Sequence, residues 1–312
     1  MSESILITGA AGYIGSKLAE RLCDRYAVVG VDIREPAALH GQFFTCDIRS
    51  PNLREIIKEN NIQRVVHLAS VLESSKDEQR DYDIDVNGTR NVVEACIDSK
   101  VEQLIVTSSG AAYGYHADSP EWIDEQDPLR GNEEIPYSRH KYLVEQYLAD
   151  VRRDHPDLKQ LILRPGTVLG ANTKNQITNL FEKRFLLGVR GSDSPFVFVW
   201  DEDVLGVIEK GLREEREGAF NLAGDGCLTI SEVAARLDKP LCKLPSALIK
   251  TLLAIGYKLG VSRYSPVQVK FIRYRPVLSN RRLKEEFGYK LQKSSAETFD
   301  YFLENARARG QI

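Results

Sequence analysis

The feature that most constrains the fold is a glycine-spaced turn that directly follows the first apolar run of the sequence. Residues 5–7 are apolar and mostly β-branched, which is typical of an interior parallel strand. Gly9, Gly12 and Gly15 then recur every three residues, and apolar residues follow at helical spacing. The pattern predicts a buried strand, a tight turn and a helix whose N-terminus faces an anion.

An acidic residue after the second predicted strand indicates what kind of anionic ligand binds at this turn. Residues 27–31 are typical of a strand, and Asp32 follows about 20 residues after the glycines, where a carboxylate can accept both hydroxyls of an adenosine ribose. The sequence therefore predicts a dinucleotide site, with the cofactor-binding residues Gly9, Gly12, Tyr13, Ile14, Gly15, Asp32, Ile33 and Arg34. A carboxylate repels a 2′-phosphate, so Asp32 favours NAD, whereas Arg34 leaves NADP possible.

Strand and helix patterns alternate through the first half of the chain. This alternation predicts an α/β fold, a doubly wound parallel (Rossmann) sheet over residues 1–165. The pattern loosens in residues 166–312, which are expected to form a smaller, mostly helical substrate lobe with strands returning to the main sheet. Within it, residues 172–192 are expected to be helix-like, and Ser231 is expected to cap a helix. Ligands of such sheets collect beyond the carboxyl ends of the strands, which are followed by Asp32, Asp47, Ala69, Ser109 and Pro165.

Composition excludes several classes of function. The 312 residues carry a net charge of −3, which gives no basic footprint for nucleic acid. Five scattered cysteines favour reduced thiols and a cytoplasmic location, and no secretory signal pattern opens the sequence. No apolar run reaches the ~18 residues of a membrane span. The histidines lack the spacing of a metal site, so the expected partner is a small-molecule substrate without a metal.

A tyrosine and a lysine four residues apart are the candidate acid–base pair. Pro136 suits the first turn of a helix, and this spacing puts Tyr137 and Lys141 on one helix face. A free tyrosine is a poor base at neutral pH, but a neighbouring ammonium favours its phenolate form. The pair is therefore predicted to move a hydroxyl proton while a hydride moves, with Ser109 holding the same substrate oxygen. His140 lies one face away and is expected at the surface.

These motifs together resemble the extended short-chain dehydrogenases/reductases, the NAD-dependent epimerase/dehydratase family. The resemblance covers residues 5–170 closely and the remainder loosely. It is carried by Thr8-Gly9-x-x-Gly12-x-x-Gly15, Asp47-Ile48, His67-Leu68-Ala69, Asp85-Val86-Asn87-Gly88-Thr89, Ser108-Ser109-Gly110, Tyr137-x-x-x-Lys141 and Arg164-Pro165.

The resemblance implies an enzyme that moves a hydride reversibly between NAD and a secondary alcohol carbon. Its implied catalytic residues are Ser109, Tyr137 and Lys141. It adds to the cofactor-binding residues Asp47 and Ile48 at the adenine, Lys141 at the nicotinamide ribose, and Leu68, Ala69, Ser70, Thr107, Tyr137 and Pro165. It also implies a homodimer through the predicted helices 82–98 and 137–153.

Three functions remain open at this stage. The first is a sugar or nucleotide-sugar epimerase, and the second is a dehydrogenase of an apolar alcohol, like the 3β-hydroxysteroid dehydrogenases. The third is a non-catalytic protein that senses NAD, a class that tends to lose the Tyr/Lys pair. The absence of an Asp-Glu pair after Ser109 argues against sugar dehydration.

Departures from the family pattern separate the first two functions. Thr167 stands where nucleotide-sugar enzymes usually carry an Asn that contacts the diphosphate, and Ser194-Pro195 stands where they carry Arg-Asp. Arg164, Arg184 and Arg190 are candidate substitutes. Asp85 replaces a common Asn and is expected to change the hydrogen bonds of the active-site loop.

The leucine-rich segment 248–255 has three interpretations. It could lie on a membrane surface, line an apolar pocket, or pack on its own lobe, and the last is favoured.

Overall fold

The chain alternates strands and helices in the computed structural model, which describes residues 3–72, 75–260 and 265–312. In these residues the strands are β1 Ser4–Thr8, β2 Ala27–Asp32, β3 Gln42–Thr45, β4 Arg64–His67, β5 Gln103–Thr107, β6 Lys159–Pro165, β7 Thr167–Leu169, β8 Leu186–Val189, β9 Phe198–Trp200, β10 Gly218–Leu222 and β11 Leu241–Leu244. The α-helices are α1 Tyr13–Leu22, α2 Asn52–Glu59, α3 Glu78–Tyr82, α4 Gly88–Asp98, α5 Pro136–Asp154, α6 Gln176–Phe181, α7 Asp201–Arg213, α8 Ile230–Leu237, α9 Ser246–Lys258, α10 Gln268–Arg273, α11 Arg281–Glu285 and α12 Ser295–Ala308.

The main sheet has the strand order β10-β6-β5-β4-β1-β2-β3. The pairs β2–β3, β1–β2, β1–β4, β4–β5 and β5–β6 are all parallel. The order reverses at β1, which lies between β2 and β4, so the carboxyl ends of β1 and β4 flank the topological switch point where such sheets bind ligands. Residues 5–7 of β1 are fully buried, as expected for a strand covered on both faces. The predicted doubly wound parallel sheet is confirmed.

The chain divides into two compact units, each assembled from three stretches. The first unit consists of Met1–Ser109, His140–Arg164 and Val204–Phe220, and the second of Gly110–Arg139, Pro165–Asp203 and Asn221–Ile312. The sequence predicts a division at residue 165 with strands of the second part returning to the main sheet. Most of α7 and of β10 belong to the first unit, and β10 is an edge strand of the main sheet.

The second unit is built on a cluster of aromatic side chains. Phe181 makes an edge contact with Phe299 at 5.3 Å between ring centroids, and Phe198 stacks on Phe299 at the same distance. Two small parallel pairs, β7–β9 and β8–β11, surround this core.

Two local expectations for the second unit are wrong. Only α6 is helical within residues 172–192, because residues 186–189 pair with β11 as strand β8, so tertiary pairing overrides the local helical pattern. The cap of α8 is Thr229 and not Ser231. Thr229 accepts a hydrogen bond from the Glu232 amide, and the Glu232 carboxylate accepts one from the Thr229 amide, which forms a capping box.

Candidate active site

The glycine turn between β1 and α1 has no room for side chains. Gly9 has a φ of +71°, and a Cβ there would lie 2.8 Å from the amide nitrogen of Ala69. A Cβ on Gly15 would collide with the carbonyl oxygen of Gly9. The α1 N-cap is Gly12, which supplies no side-chain cap for the N-terminus of the helix, an end that favours anions. This cradle fits the pyrophosphate of a dinucleotide.

Asp32 lies at the end of β2 and is tied to the same turn. Its Oδ2 accepts a hydrogen bond from the Ala11 amide at 3.1 Å, and its Oδ1 accepts one from the Arg34 amide at 3.1 Å. These bonds fix the carboxylate beside the glycine turn, where a ribose ligand is expected. The side chains of Ile33 and Arg34 are exposed, so NADP binding through Arg34 stays a prediction.

The residues expected at the adenine lie in different surroundings. Asp47 is half-buried, and hydrogen bonds from Arg49 lower the pKa of its carboxyl group. Arg49 also pairs with Asp83 at 2.7 Å. Ile48 is buried in the core, where its side chain contacts the first residue of α4, Gly88. The predicted adenine contact of Ile48 through its side chain is thus disfavoured by burial, and an adenine contact by Asp47 stays a prediction.

A buried chain of hydrogen bonds joins three of the family motifs. Thr8 and His67 are register partners on β1 and β4, and Thr8 Oγ1 lies 2.7 Å from His67 Nδ1. The other ring nitrogen, Nε2, lies 3.0 Å from Thr89 Oγ1. Thr89 in turn donates its hydroxyl proton to the carbonyl of Asp85 at 2.6 Å. This series of hydrogen bonds lies at the carboxyl ends of β1 and β4, which flank the switch point of the sheet.

These contacts fix the protonation state of His67. The Thr89 hydroxyl donates its only proton to the carbonyl oxygen of Asp85. Its oxygen must therefore accept the hydrogen bond from His67 Nε2–H. Nδ1 then accepts from the Thr8 hydroxyl, whose oxygen accepts the amides of Leu68 and Ala69 at 3.2 and 3.3 Å. Burial, with the charge of Lys141, lowers the pKa of His67 to about 3. His67 is thus neutral, and through its hydrogen bond with Thr8 it positions the backbone of residues 68–69.

Asp85 holds the loop after β4. It lies in a single turn of π-helix, Asp83–Asn87, between α3 and α4, an element that often occurs at functional sites. Its Oδ1 accepts hydrogen bonds from the Ser70 hydroxyl at 2.9 Å and the Val71 amide at 2.8 Å. The acid therefore takes part directly in the hydrogen bonds of this loop, and the change that it makes relative to an Asn stays a prediction.

The second oxygen of Asp85 accepts a hydrogen bond from His140. Oδ2 lies 3.3 Å from His140 Nδ1, and the His140 ring meets Tyr82 edge-on at 5.6 Å. The expectation that His140 lies at the surface is wrong, because α5 packs that face against the 83–87 turn. Burial alone would raise the pKa of Asp85, but the His140 hydrogen bond, the charge of Lys141 and the loop donors hold it below its usual value. The carboxylate is therefore ionised at neutral pH.

The Tyr/Lys pair lies on α5, which begins at Pro136 as predicted. Lys141 is buried, and its Nζ donates to the carbonyl of Thr107 at 3.4 Å. The Thr107 hydroxyl donates to the carbonyl of His67 at 3.3 Å. Tyr137 lies one turn earlier and packs against a cluster formed by Ala111, Tyr115 and Ile135. Ser109 follows β5 by two residues, and Pro165 ends β6.

The Arg164 side chain pairs with a carboxylate inside the first unit. Its Nε and Nη2 donate to the Glu145 carboxylate at 2.9 and 2.6 Å, and Ser108 donates to the same carboxylate at 2.5 Å. Both charged side chains are buried. This bidentate pair ties β6 to α5 and leaves Arg184 and Arg190, both exposed, as the remaining candidates named from the sequence.

Arg275 in the second unit was missed from the sequence. Its guanidinium lies 3.8 Å from the ring centroid of Phe196 and 4.5 Å from that of Phe271. Burial lowers its pKa to about 10, so it stays charged at neutral pH, and its buried Nε has no hydrogen-bond partner among the described residues. One sequence feature could have indicated Arg275: it lies within residues 239–284, a long stretch that contains no Asp or Glu.

Residues 3–72, 75–260 and 265–312 hold no group of three or more His, Cys, Asp or Glu side chains arranged for a metal ion. No helix in this part of the chain has the length and apolar character to cross a bilayer.

Comparison with known proteins identifies relatives along the whole chain. The sequence model of the NAD dependent epimerase/dehydratase family matches residues 5–195. An uncharacterized protein of Mycobacterium tuberculosis is 23% identical and aligns over 98% of this chain and 84% of its own length. The UDP-glucose 4-epimerase of Erwinia amylovora is 32% identical over 56% of each chain, so the chain spans about half the length of that relative.

Solved structures share the fold along nearly the full chain. The UDP-glucose 4-epimerase of Thermotoga maritima, solved with UDP-glucose, has a TM-score of 0.77 at 21% identity and covers 98% of this chain and 99% of its own. MoeE5, solved with UDP-glucuronic acid and NAD, has a TM-score of 0.76 at 22% identity with the same coverage. The family match over more than half of the sequence, together with the glycine cradle and the Tyr/Lys helix, confirms the resemblance seen in the motifs. The chain belongs to the NAD-dependent epimerase/dehydratase family of extended short-chain dehydrogenases/reductases, whose members are enzymes that use NAD.

Proposed function

We propose that the chain is an epimerase of a nucleotide-linked sugar. The observation that carries this proposal is Arg275, a charged guanidinium held between two aromatic rings without a partner for its buried Nε among the described residues. A buried donor of a cation that lacks an acceptor is costly, so the unpartnered Nε favours an anionic ligand. A substrate diphosphate supplies that charge, whereas an apolar alcohol does not.

The proposed chemistry uses the residues of α5. NAD, held at the glycine turn and Asp32, would supply reversible hydride transfer at a secondary alcohol carbon of the substrate, and return of the hydride to the other face of that carbon would give the epimer. Tyr137 removes the hydroxyl proton as the hydride leaves and returns it afterwards. Lys141, one helical turn further along, supplies positive charge that favours the phenolate form of a neighbouring tyrosine. Ser109 holds the reacting oxygen toward the tyrosine.

The surrounding network positions these groups without touching the substrate. Asp85 places the 70–71 backbone and contributes negative charge near Lys141. The chain from Thr8 through His67 to Thr89 fixes the 68–69 backbone, which is expected to border the cofactor. We assign Asp85, His67 and His140 as positioning residues.

The test measures redox stoichiometry with candidate sugar nucleotides. The chain is incubated with NAD and, separately, UDP-glucose, UDP-glucuronic acid and a 3β-hydroxysteroid. The proposal expects a C4-epimeric product from a UDP-sugar with no net NADH formed. Steroid oxidation with one NADH per product would contradict it and establish the dehydrogenase. Cofactor binding without turnover of any substrate would instead favour the NAD-sensing protein.

A variant pair tests the diphosphate assignment separately. We expect Arg275→Gln to weaken the binding of UDP by at least about tenfold, which corresponds to ~1.4 kcal/mol of binding free energy. Arg213→Gln, at an exposed arginine of α7 that is placed in no part of the site, serves as the matched control and should bind UDP like the original chain. Equal UDP affinities for Arg275→Gln and the original chain would remove Arg275 from the site.

The homodimer expected for the family is part of the same proposal. Helices α4 and α5 lie side by side, with Arg90 over the ring of Tyr147 at 5.5 Å. A two-fold pairing of this helix layer predicts a dimer mass in light scattering, and a monomer mass would rule it out.

A further inference from the structure

Helix α9 in the second unit has two apolar faces, and only one of them is packed. Ile249 is buried, and Leu253 packs beside it against a cluster that contains Val189 and Val269. These contacts account for the attachment of the helix to its own unit. The interpretation that the segment packs on its own lobe is therefore correct for this face alone.

The second face is a stripe of large apolar side chains in solvent. Leu248, Leu252, Ile255 and Leu259 follow one another by four, three and four residues, which aligns them along one side of the helix. Their exposed fractions are 45, 54, 53 and 71%. We call these four residues the apolar stripe. Single exposed leucines are ordinary, but a contiguous stripe on a folded surface indicates a binding surface.

Helix α9 itself carries basic residues and no acidic ones. Residues 239–284 contain eleven Lys and Arg residues and no Asp or Glu, although Lys243, Lys270 and Lys284 pair with carboxylates from elsewhere in the chain. Lys250 and Lys258 of α9 are exposed, and Lys258 follows Ile255 by three residues, which makes it a neighbour of the stripe on the helix surface. Charge and apolar character are thus concentrated on the same helix.

We propose that the apolar stripe binds the surface of an anionic lipid membrane, with the basic residues around it attracted to the headgroups. A helix with this combination lies in the plane of the interface, where its apolar side is buried between headgroups and its cations face anionic lipid. A second copy of the chain is a poorer occupant, because a two-fold interface would bring each basic segment against its own copy. This binding is independent of the epimerase proposal.

The test is co-sedimentation of the full chain with lipid vesicles. We expect it to pellet with vesicles of phosphatidylcholine that contain about 30% phosphatidylglycerol, and to remain in the supernatant with phosphatidylcholine alone. High salt should release most of it, because exposed charges are screened within about a Debye length.

Variants separate the stripe from the rest of the surface. We expect Leu252→Gln/Ile255→Gln to lower the vesicle partition coefficient at least about tenfold, and Lys250→Glu/Lys258→Glu to lower it similarly. Leu39→Gln, at an exposed leucine of the first unit, is the matched control and should bind like the original chain. All of these positions are exposed, so a thermal melt should show native stability.

The results that overturn the proposal are specific. Absence of binding to anionic vesicles overturns it, as does binding that Leu252→Gln/Ile255→Gln leaves unchanged. A third result would also overturn it: the original chain is a dimer, Leu252→Gln/Ile255→Gln is a monomer, and neither protein binds vesicles. The apolar stripe would then be an interface between two copies of the chain.

Discussion

The Asp85 carboxylate accepts a hydrogen bond from His140 at 3.3 Å, and the side chains of the two residues are 3% and 1% exposed. They lie 55 residues apart in sequence, one on the π-turn before α4 and the other on α5 between the residues of the Tyr/Lys motif. The same carboxylate holds the 70–71 loop through its other oxygen. One buried charge therefore links the loop after β4 to the helix that carries Lys141.

Replacing that charge by a neutral isostere should affect catalysis more than binding. Asp85→Asn keeps an oxygen for the Val71 amide but removes the negative charge near Lys141. We expect kcat to fall about tenfold, or ~1.4 kcal/mol, with KM changed less than about threefold. The pH of half-maximal kcat should move lower, because a negative charge that opposes proton loss has gone.

A double-mutant cycle tests whether Asp85 and His140 act together. We expect Asp85→Asn and His140→Ser to couple by about 1 kcal/mol or more in kcat, because each removes the same hydrogen bond. Additive effects, or an unmoved pH profile in Asp85→Asn, would show that the carboxylate is only structural.

His67 should make the fold sensitive to acid. Its pKa is about 3 in the folded chain against an ordinary value of 6.5, so the unfolded chain takes up the proton first. This contribution to stability is complete above about pH 6.5 and is lost as the pH falls toward 3. Between pH 6.5 and 5 we expect the original chain to lose about 2 kcal/mol more unfolding free energy than His67→Gln.

Urea unfolding at several pH values measures this difference. Gln can still donate to Thr89 and accept from Thr8, so the variant removes the titrating group while it retains the hydrogen bonds. Parallel stability curves for the two chains would show that His67 is not the titrating group.

Asp32 should determine the choice of cofactor. Its carboxylate is fixed beside the glycine turn by the amides of Ala11 and Arg34. We expect Asp32→Ala to weaken the binding of NAD at least about tenfold, because a ligand of the ribose is lost. The affinity for NADP should change little or improve, because the variant also removes the repulsion between the carboxylate and the 2′-phosphate. Calorimetric titration with both cofactors measures this, and equal losses for the two would exclude Asp32 as the ribose ligand.

The parts of the site that the sequence predicts are those set by local spacing. The turn at Gly9, the acid at Asp32 and the helix with Tyr137 and Lys141 each depend on a few neighbouring residues whose geometry is standard. The family match and the parallel sheet confirm the fold and the cofactor class that these motifs indicate.

The parts that it does not predict depend on which distant surfaces meet. His140 is buried only because the 83–87 turn packs on its face of α5, and Arg275 gains its aromatic surroundings from Phe196, 79 residues earlier. Residues 186–189 become a strand through pairing with β11. None of these contacts has a signature within one stretch of sequence.

The most direct test of the central claim is the turnover of Tyr137→Phe, measured as epimer formed per chain with a UDP-sugar, beside the dissociation constant for NAD. Tyr142→Phe on the same helix is the matched control and should keep its activity. The account predicts that Tyr137→Phe loses at least about a thousandfold in kcat while NAD affinity stays within about threefold, since the phenol moves a proton and the cradle holds the cofactor. A kcat within tenfold of the original would contradict the role of Tyr137 and, with it, the proposed mechanism.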